Sequence, residues 1–297
     1  MKQALILINA YMTAQSQFVQ VNRIREELEN LGVKVDILRN DGFFAYVDGQ
    51  NIALNLPRNY DFCVYLDKDK YMSEMLEKSG VKLFNCHAAV RDCDDKMQTY
   101  LTLCGKGIPM VKTLAGLLCY QPTEEVNEQT LYKIEQTLGY PVIVKESFGS
   151  LGKGVYMAHS REELRSLCET LKCKPHLFQQ TVQTSVGRDV RVIVIGGKFI
   201  CAMLRQSDGD FRSNIELGGK GSAYTPSQET ITLCERVADV LSLDYCGIDI
   251  LFGEEDKPVV CEVNSNAFFG GMEKTTGVNV AKTYAEYMYR TIYGEVK

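Results

Sequence analysis

The sequence predicts an α/β and α+β chain: a small parallel-sheet α/β unit followed by two lobes built on antiparallel hairpins. Three observations carry that reading. Short apolar runs alternate with helix-spaced segments over the first third, glycine-centred hairpins replace crossovers after Pro109, and 297 residues suffice for two or three compact units.

Residues 4–8 form a continuous apolar run of the kind a buried parallel strand needs. Val21, Ile24, Leu28 and Leu31 then recur at helical spacing until Gly32 stops the helix. Residues 33–38, 62–66 and 81–84 read as further strands, with a helix between the last two, which is βαβ rhythm. Residues 94–105 are helical in pattern. Residues 141–145 lead into a loop at 147–154, and a strand resumes at 155–158. Segments 189–195 and 198–205 flank Gly196-Gly197, a pair suited to a primed hairpin turn. A helix at 231–241, a second hairpin from 247–252 and 258–263, and a last helix at 278–293 complete the chain.

Composition sets the class. Hydrophobic residues at 45% and charged residues at 24% exclude a disordered, collagen-like or disulfide-framework protein, and the net charge of -5 argues against a general nucleic-acid binder. No apolar run approaches a membrane span, and the first nine residues read as a strand rather than a secretory leader. Eleven cysteines, without any Cys-x-x-Cys and without zinc spacing to His87, His159 or His176, read as reduced and mostly buried thiols of a cytoplasmic protein.

Three constellations carry chemistry. Gly149, Gly152 and Gly154 lie between two strands, so they make neither a Walker loop nor a dinucleotide fingerprint, both of which lead into a helix. At a hairpin tip they let backbone N–H groups approach a phosphate. A plain mobile turn explains the glycines alone equally well; Lys145, a cation ending an apolar strand just before the loop, favours the phosphate, and taken alone it reads equally as a snorkelling strand-end cation. The second constellation is a hairpin. With Glu255-Asp256 as a two-residue turn and Glu254 paired to Lys257, Asp249 falls opposite Glu262, and strand period two adds Asn264 to the same face. Opposed like charges destabilise a sheet without a cation, and a hard metal such as Mg²⁺ removes that repulsion; the alternative is that one carboxylate pairs with a basic residue and the other is solvated. The third is a run of charge: Asp189 and Arg191 share a face, the Gly196-Gly197 register sets Arg205 opposite Arg188 on the other face, and Asp210-Phe211-Arg212-Ser213-Asn214 occupies a loop. Cys261, beside Glu262, points away from the metal by strand alternation.

In order, Asp95-Lys96, the strand and loop from Lys145 to Gly154, Gly187 to Arg191, Asp-Phe-Arg-Ser-Asn, Gly247 to Asp249, Glu262-Val263-Asn264 and Glu273-Lys274-Thr275-Thr276-Gly277 resemble the RimK-type glutamate ligases of the ATP-grasp superfamily. The likeness runs from about Asp92 onward. It implies an ATP-grasp fold with residues 1–92 as the N-terminal α/β unit, 93–182 as the central lobe with the glycine loop, and 183–297 as the C-terminal lobe with the metal site. It also implies an ATP-dependent carboxylate–amine ligase that joins an amino acid such as glutamate to a protein tail, peptide or metabolite through an acyl phosphate. Such ligases need neither nucleic acid nor membrane and are often homo-oligomers. By resemblance, Lys96 and Lys145 are nucleotide lysines, Gly149, Ser150, Gly152 and Gly154 the phosphate loop, Gln180 and Thr181 the adenine linker, and Asp189 and Ser213 nucleotide-site residues. Arg191, Arg212 and Asn214 are the catalytic residues, and Asp249, Glu262 and Asn264 hold Mg²⁺, with Mn²⁺ as the alternative ion. Two departures stand out: Gln180 replaces a frequent Glu, and residues 265–271 replace the usual Ala-Ser-Pro-Gly, so the acceptor is not inherited. A phosphotransferase on the same nucleotide site and a non-catalytic nucleotide-binding regulator remain alternatives.

Overall fold

The computed structural model describes residues 2–13 and 15–295. The N-terminal unit contains β1 (Gln3–Ile8), α1 (Gln15–Asn30), β2 (Lys34–Arg39), a small hairpin of β3 (Ala45–Val47) and β4 (Ile52–Leu54), β5 (Phe62–Leu66), α2 (Lys70–Lys78) and β6 (Leu83–Phe84). Its main sheet is parallel in the order β2-β1-β5-β6. Alternation along β1 explains the continuous apolar run: Ala4, Ile6 and Ile8 join a core with α1, while Leu5 and Leu7 pack on the α2 side.

Helices α3 (His87–Asp94) and α4 (Lys96–Leu103) follow, and Asp95 caps α4 by accepting from the N–H groups of Met97 and Gln98. Next come β7 (Thr113–Ala115), α5 (Glu128–Leu138), β8 (Val142–Glu146), β9 (Val155–Ala158), α6 (Arg161–Leu171) and β10 (His176–Gln180), with an antiparallel sheet ordered β7-β10-β8-β9. Val142, Val144, Ala158 and Phe178 pack on α5 and α6. Period two then turns Ile143, Lys145, Met157 and Gln179 to the opposite face.

The C-terminal part has β11 (Arg188–Ile195), β12 (Lys198–Gln206), β13 (Lys220–Ala223), α7 (Gln228–Val240), β14 (Tyr245–Phe252), β15 (Pro258–Asn264), α8 (Gly270–Thr276) and α9 (Val280–Tyr293), in a sheet ordered β13-β12-β11-β14-β15. One face buries Val190, Val192, Ile248, Ile250 and Val263 against α7, and Ala89, Cys93 and Leu103 of α3 and α4 share that core. Both helices thus pack with the C-terminal sheet. On the other face, Ile193, Ile195 and Tyr245 lie in one core with α9 and the N-terminal unit, and Tyr284 of α9 stacks on Tyr245 at 4.9 Å. Such a stack adds about 0.5–1.5 kcal/mol to the burial itself. Farther along, this face carries Asp189, Arg191, Arg205 and Asp249.

Both hairpins correct the register read from sequence. Ile195 pairs with Lys198 and Val194 with Phe199 as expected, but a bulge shifts the ladder at Ile193, and Arg205 comes to lie opposite Asp189 instead of Arg188. In the second hairpin the turn is one residue wider than a two-residue turn: Gly253 N–H donates to the Lys257 carbonyl at 2.8 Å. A bulge at Cys261 then shifts the register back, so Asp249 does pair with Glu262, through two deviations that cancel. The bulge sets Cys261 and Glu262 on the same side, so Cys261 faces the cleft and not the core.

Candidate functional site

The two antiparallel sheets face each other across a cleft. The central wall contributes Ile143, Lys145, Val155, Met157 and Gln179, and the C-terminal wall Asp189, Arg205, Asp249, Leu251, Cys261 and Glu262. Gln180 and Thr181 link the walls at one end; at the other, Gly152 meets Arg212, Ser213 and Asn214. The apolar slot of Ile143, Met157 and Leu251 is absent from the sequence reading, although alternation about Lys145 already places Ile143 on its face.

Lys145 is 7% exposed, and its ammonium donates to the Cys261 sulfur at 3.6 Å. Lys96, the first residue of α4, donates to the Gly149 carbonyl at 2.8 Å and stands 3.9 Å from Glu262. Burial pulls the Lys96 pKa below that of an ordinary lysine. The glycine loop bends through positive φ at Gly149 (124°), Leu151 (62°), Gly152 (72°) and Gly154 (69°), and the Ser150 carbonyl accepts from the Lys153 N–H at 3.2 Å. At Gly152 the positive φ disfavours a side chain, and an added Cβ would push on the movable ends of Leu217, at 2.8 Å, and Asn214, at 2.9 Å.

Arg212 ties this loop to its own. Its guanidinium grips both oxygens of Asp210, at 3.0 and 2.7 Å, and donates to the Gly152 carbonyl at 3.0 Å. The hydrogen bond from Arg212 holds the Asp210 carboxyl below its usual range.

The C-terminal wall holds a lattice of four charges. Arg205 donates to both oxygens of Asp189, at 2.7 and 2.5 Å, and reaches Asp249 at 3.0 Å. Arg191 grips Asp249 through Nε and, at 2.8 Å, through Nη2. Burial alone would push the Asp249 carboxyl up, but the two guanidinium groups outweigh it and hold it down. The repulsion expected between Asp249 and Glu262 is therefore relieved by arginine. Arg191 stands behind Asp249 and is not among the residues lining the cleft.

The donor set fits a hard divalent cation at two of the three expected positions. Among the described residues, neither the Glu262 carboxylate nor the Asn264 side-chain amide has a hydrogen-bond partner, and Asn264 follows Glu262 on the same face, opposite Gly247. Asp249 joins them only when a guanidinium releases it. Of the other expected residues, the Gln180 N–H donates to the Lys112 carbonyl at 3.0 Å, and the Thr181 hydroxyl to that of Pro141 at 2.5 Å. Ser213 is buried in the loop.

Residues 93–288 match the model of the RimK-like ATP-grasp domain. The chain is 37% identical over 255 residues to beta-citrylglutamate synthase B of Danio rerio, covering 84% of this chain and 62% of that protein. It is 35% identical to N-acetylaspartylglutamate synthase A of Homo sapiens over 75% of this chain and 56% of the relative. It thus spans less than two thirds of the length of either. A RimK domain ATP-grasp protein from Sphaerobacter thermophilus superposes with a TM-score of 0.71 at 18% identity, over 96% of this chain and 98% of that one, a likeness of fold. No helix among the described residues is long and apolar enough to cross a membrane.

Proposed function

The chain belongs to the RimK-like ATP-grasp family, and from that premise we propose that it is an ATP-dependent carboxylate–amine ligase. One observation carries the reading: two buried ammonium groups, Lys96 and Lys145, converge beside a glycine loop in a cleft between two sheets, with Glu262 3.9 Å from Lys96 and making no hydrogen bond among the described residues. Buried cations without full carboxylate pairing suit a polyanion, and a phosphate chain supplies the missing charge.

In this reading the base of ATP fills the slot of Ile143, Met157 and Leu251 beside Gln180 and Thr181, Lys145 and Lys96 hold its phosphates, and Asp189 and Ser213 complete the nucleotide site. Glu262 and Asn264, with Asp249 once released, hold Mg²⁺ or Mn²⁺, which when bound neutralises phosphate charge. A substrate carboxylate attacks the γ-phosphorus and ADP leaves. The amine then attacks the acyl carbon, phosphate departs with the C–O electrons, and the ammonium proton passes to solvent. Arg212, swung from Asp210, stabilises the oxyanion or the departing phosphate, with Asn214 beside it. Arg191 acts through Asp249, by orienting it. The junction of the 147–154 loop with the Arg212 loop keeps water from the acyl phosphate.

The names of the two curated relatives place glutamate in their products, and we take glutamate as the first amine to test and a small di- or tricarboxylate as the first acceptor. The residues bordering the acceptor, 265–271, leave peptides and protein tails open. The test is ADP release with paired amines and carboxylates, with hydroxylamine as a surrogate amine. A hydroxamate supports the ligase. Phosphate retained on the acceptor would make the protein a phosphotransferase, and nucleotide binding without turnover across the screen would make it a regulator.

A further inference from the structure

Away from the cleft, the central lobe carries two thiols that the ligase chemistry does not use. β7 and β10 pair antiparallel with Ala115 opposite Leu177, and the chain keeps close to that path beyond the ladder. Gly116 N–H donates to the His176 carbonyl at 2.8 Å, and Cys119 N–H donates to the Lys172 carbonyl at 2.7 Å. Cys173 is the next residue after Lys172, so one hydrogen bond and one peptide unit separate the two cysteine backbones. Those lengths limit the Cα–Cα separation to about 7 Å, and the bend of the peptide shortens it toward the window of about 4.4–6.8 Å that a disulfide spans.

Both thiols are accessible. Six of the eleven thiols are buried, whereas Cys119 is half-buried and Cys173 exposed. Cys173 stands in the tight turn after α6, closed by Lys174 N–H donating to Leu171 at 2.8 Å. The neighbouring Cys168 faces the core of the lobe and is out of play. Lys172 lies near both thiols: its hydrogen bond to Glu169 is the main cause of its raised pKa, and Cys119 and Cys173 contribute to it.

We propose that Cys119 and Cys173 are a redox pair that a low-molecular-weight disulfide of the glutathione class converts to an intramolecular disulfide. One protein thiolate attacks the small disulfide, forming a mixed disulfide and releasing one small thiol. The second thiolate attacks the protein sulfur of that adduct and expels the other. The protein loses two hydrogens and two electrons, and the small disulfide becomes two thiols. The bond closes the segment that holds α5, β8, the glycine loop, β9 and α6, so it clips nearly the whole central lobe at its base. Closing so long a segment restricts the unfolded chain, and the oxidised lobe resists opening.

The experiment incubates the full chain, natively folded, with glutathione disulfide, blocks the remaining thiols, and maps peptides without reduction. The expected result is a single linked pair, 119 with 173, together with the loss of two titratable thiols and a rise of several degrees in the thermal unfolding midpoint, all reversed by dithiothreitol. Cys119→Ser removes the link and the rise, whereas Cys104→Ser, at another exposed thiol, leaves both. Separate glutathione adducts on Cys119 and Cys173, a link to any other cysteine, or two thiols that stay free would overturn the proposal. None of these readouts depends on ATP turnover, so a failure here leaves the ligase reading standing.

Discussion

The two walls of the cleft treat charge in opposite ways. On the central wall, Lys145 is buried with a thiol as its polar neighbour. On the C-terminal wall, Asp189, Arg205, Asp249 and Arg191 satisfy one another, whereas Glu262 makes only the 3.9 Å ion pair with Lys96 among the described residues. One wall therefore buries a cation without a carboxylate in contact, and the other is internally neutral with one loosely paired carboxylate. Asp249 and Glu262 occupy the same rung of the β14–β15 ladder, yet the first is gripped by two guanidinium groups and the second is not.

The largest effect follows from that contrast. Asp249→Ala strips the partner from Arg191 and leaves Arg205 with Asp189 alone, and breaking a buried pair by removing one member destabilises by about 3–5 kcal/mol. Urea unfolding checks it, and a midpoint equal to wild type would show that the lattice is not structural. Glu262→Ala should cost far less, about 1 kcal/mol or under, because its ion pair with Lys96 is long, at 3.9 Å. ATP turnover should nevertheless fall by about a hundredfold or more. Residual activity near wild type would remove Glu262 from the metal site. On the other wall, Lys145→Ala deletes a charged contact to phosphate, with an expected loss of about 1.5–3 kcal/mol in nucleotide binding by calorimetry. An unchanged affinity would return Lys145 to the role of a buried strand-end cation.

These contrasts were only partly legible in the residues. The parallel first sheet and both long hairpins follow from apolar runs and paired glycines, because burial and turn chemistry are local properties. Bulges are not. Nothing near Ile193 or Cys261 announces an extra residue in one strand, and a one-residue slip decides which face every later side chain takes. The first bulge carried Arg205 to the wrong partner in the sequence register. The second was hidden because a wider turn cancelled it, leaving Asp249 opposite Glu262 and only Cys261 on the wrong side. Helices α5 and α6 went unread, although Asn127 and Ser160 cap them and their apolar residues recur at helical spacing. The pairing of Asp249 with arginine needs three strands in register, and no single segment encodes it.

The smallest expected effect concerns the junction between the walls. Arg212 spans it, donating to Asp210 on its own loop and to Gly152 on the other. Its hydrogen bond lowers the Asp210 pKa in the folded protein below the value of about 3.9 that the unfolded chain keeps. A depressed carboxylate contributes stability that is fully present above that unfolded value and disappears as pH falls through the lower folded one. Both side chains are about a quarter exposed, so solvent screens the pair and the contribution is no more than about 1 kcal/mol. Unfolding free energies of wild type and Asp210→Asn, measured from pH 6 downward, should therefore converge by about that amount on the acid side and run parallel above pH 5. Curves that stay parallel throughout would mean that Asp210 does not hold Arg212, and the guanidinium would then be free to enter the cleft without first releasing a partner.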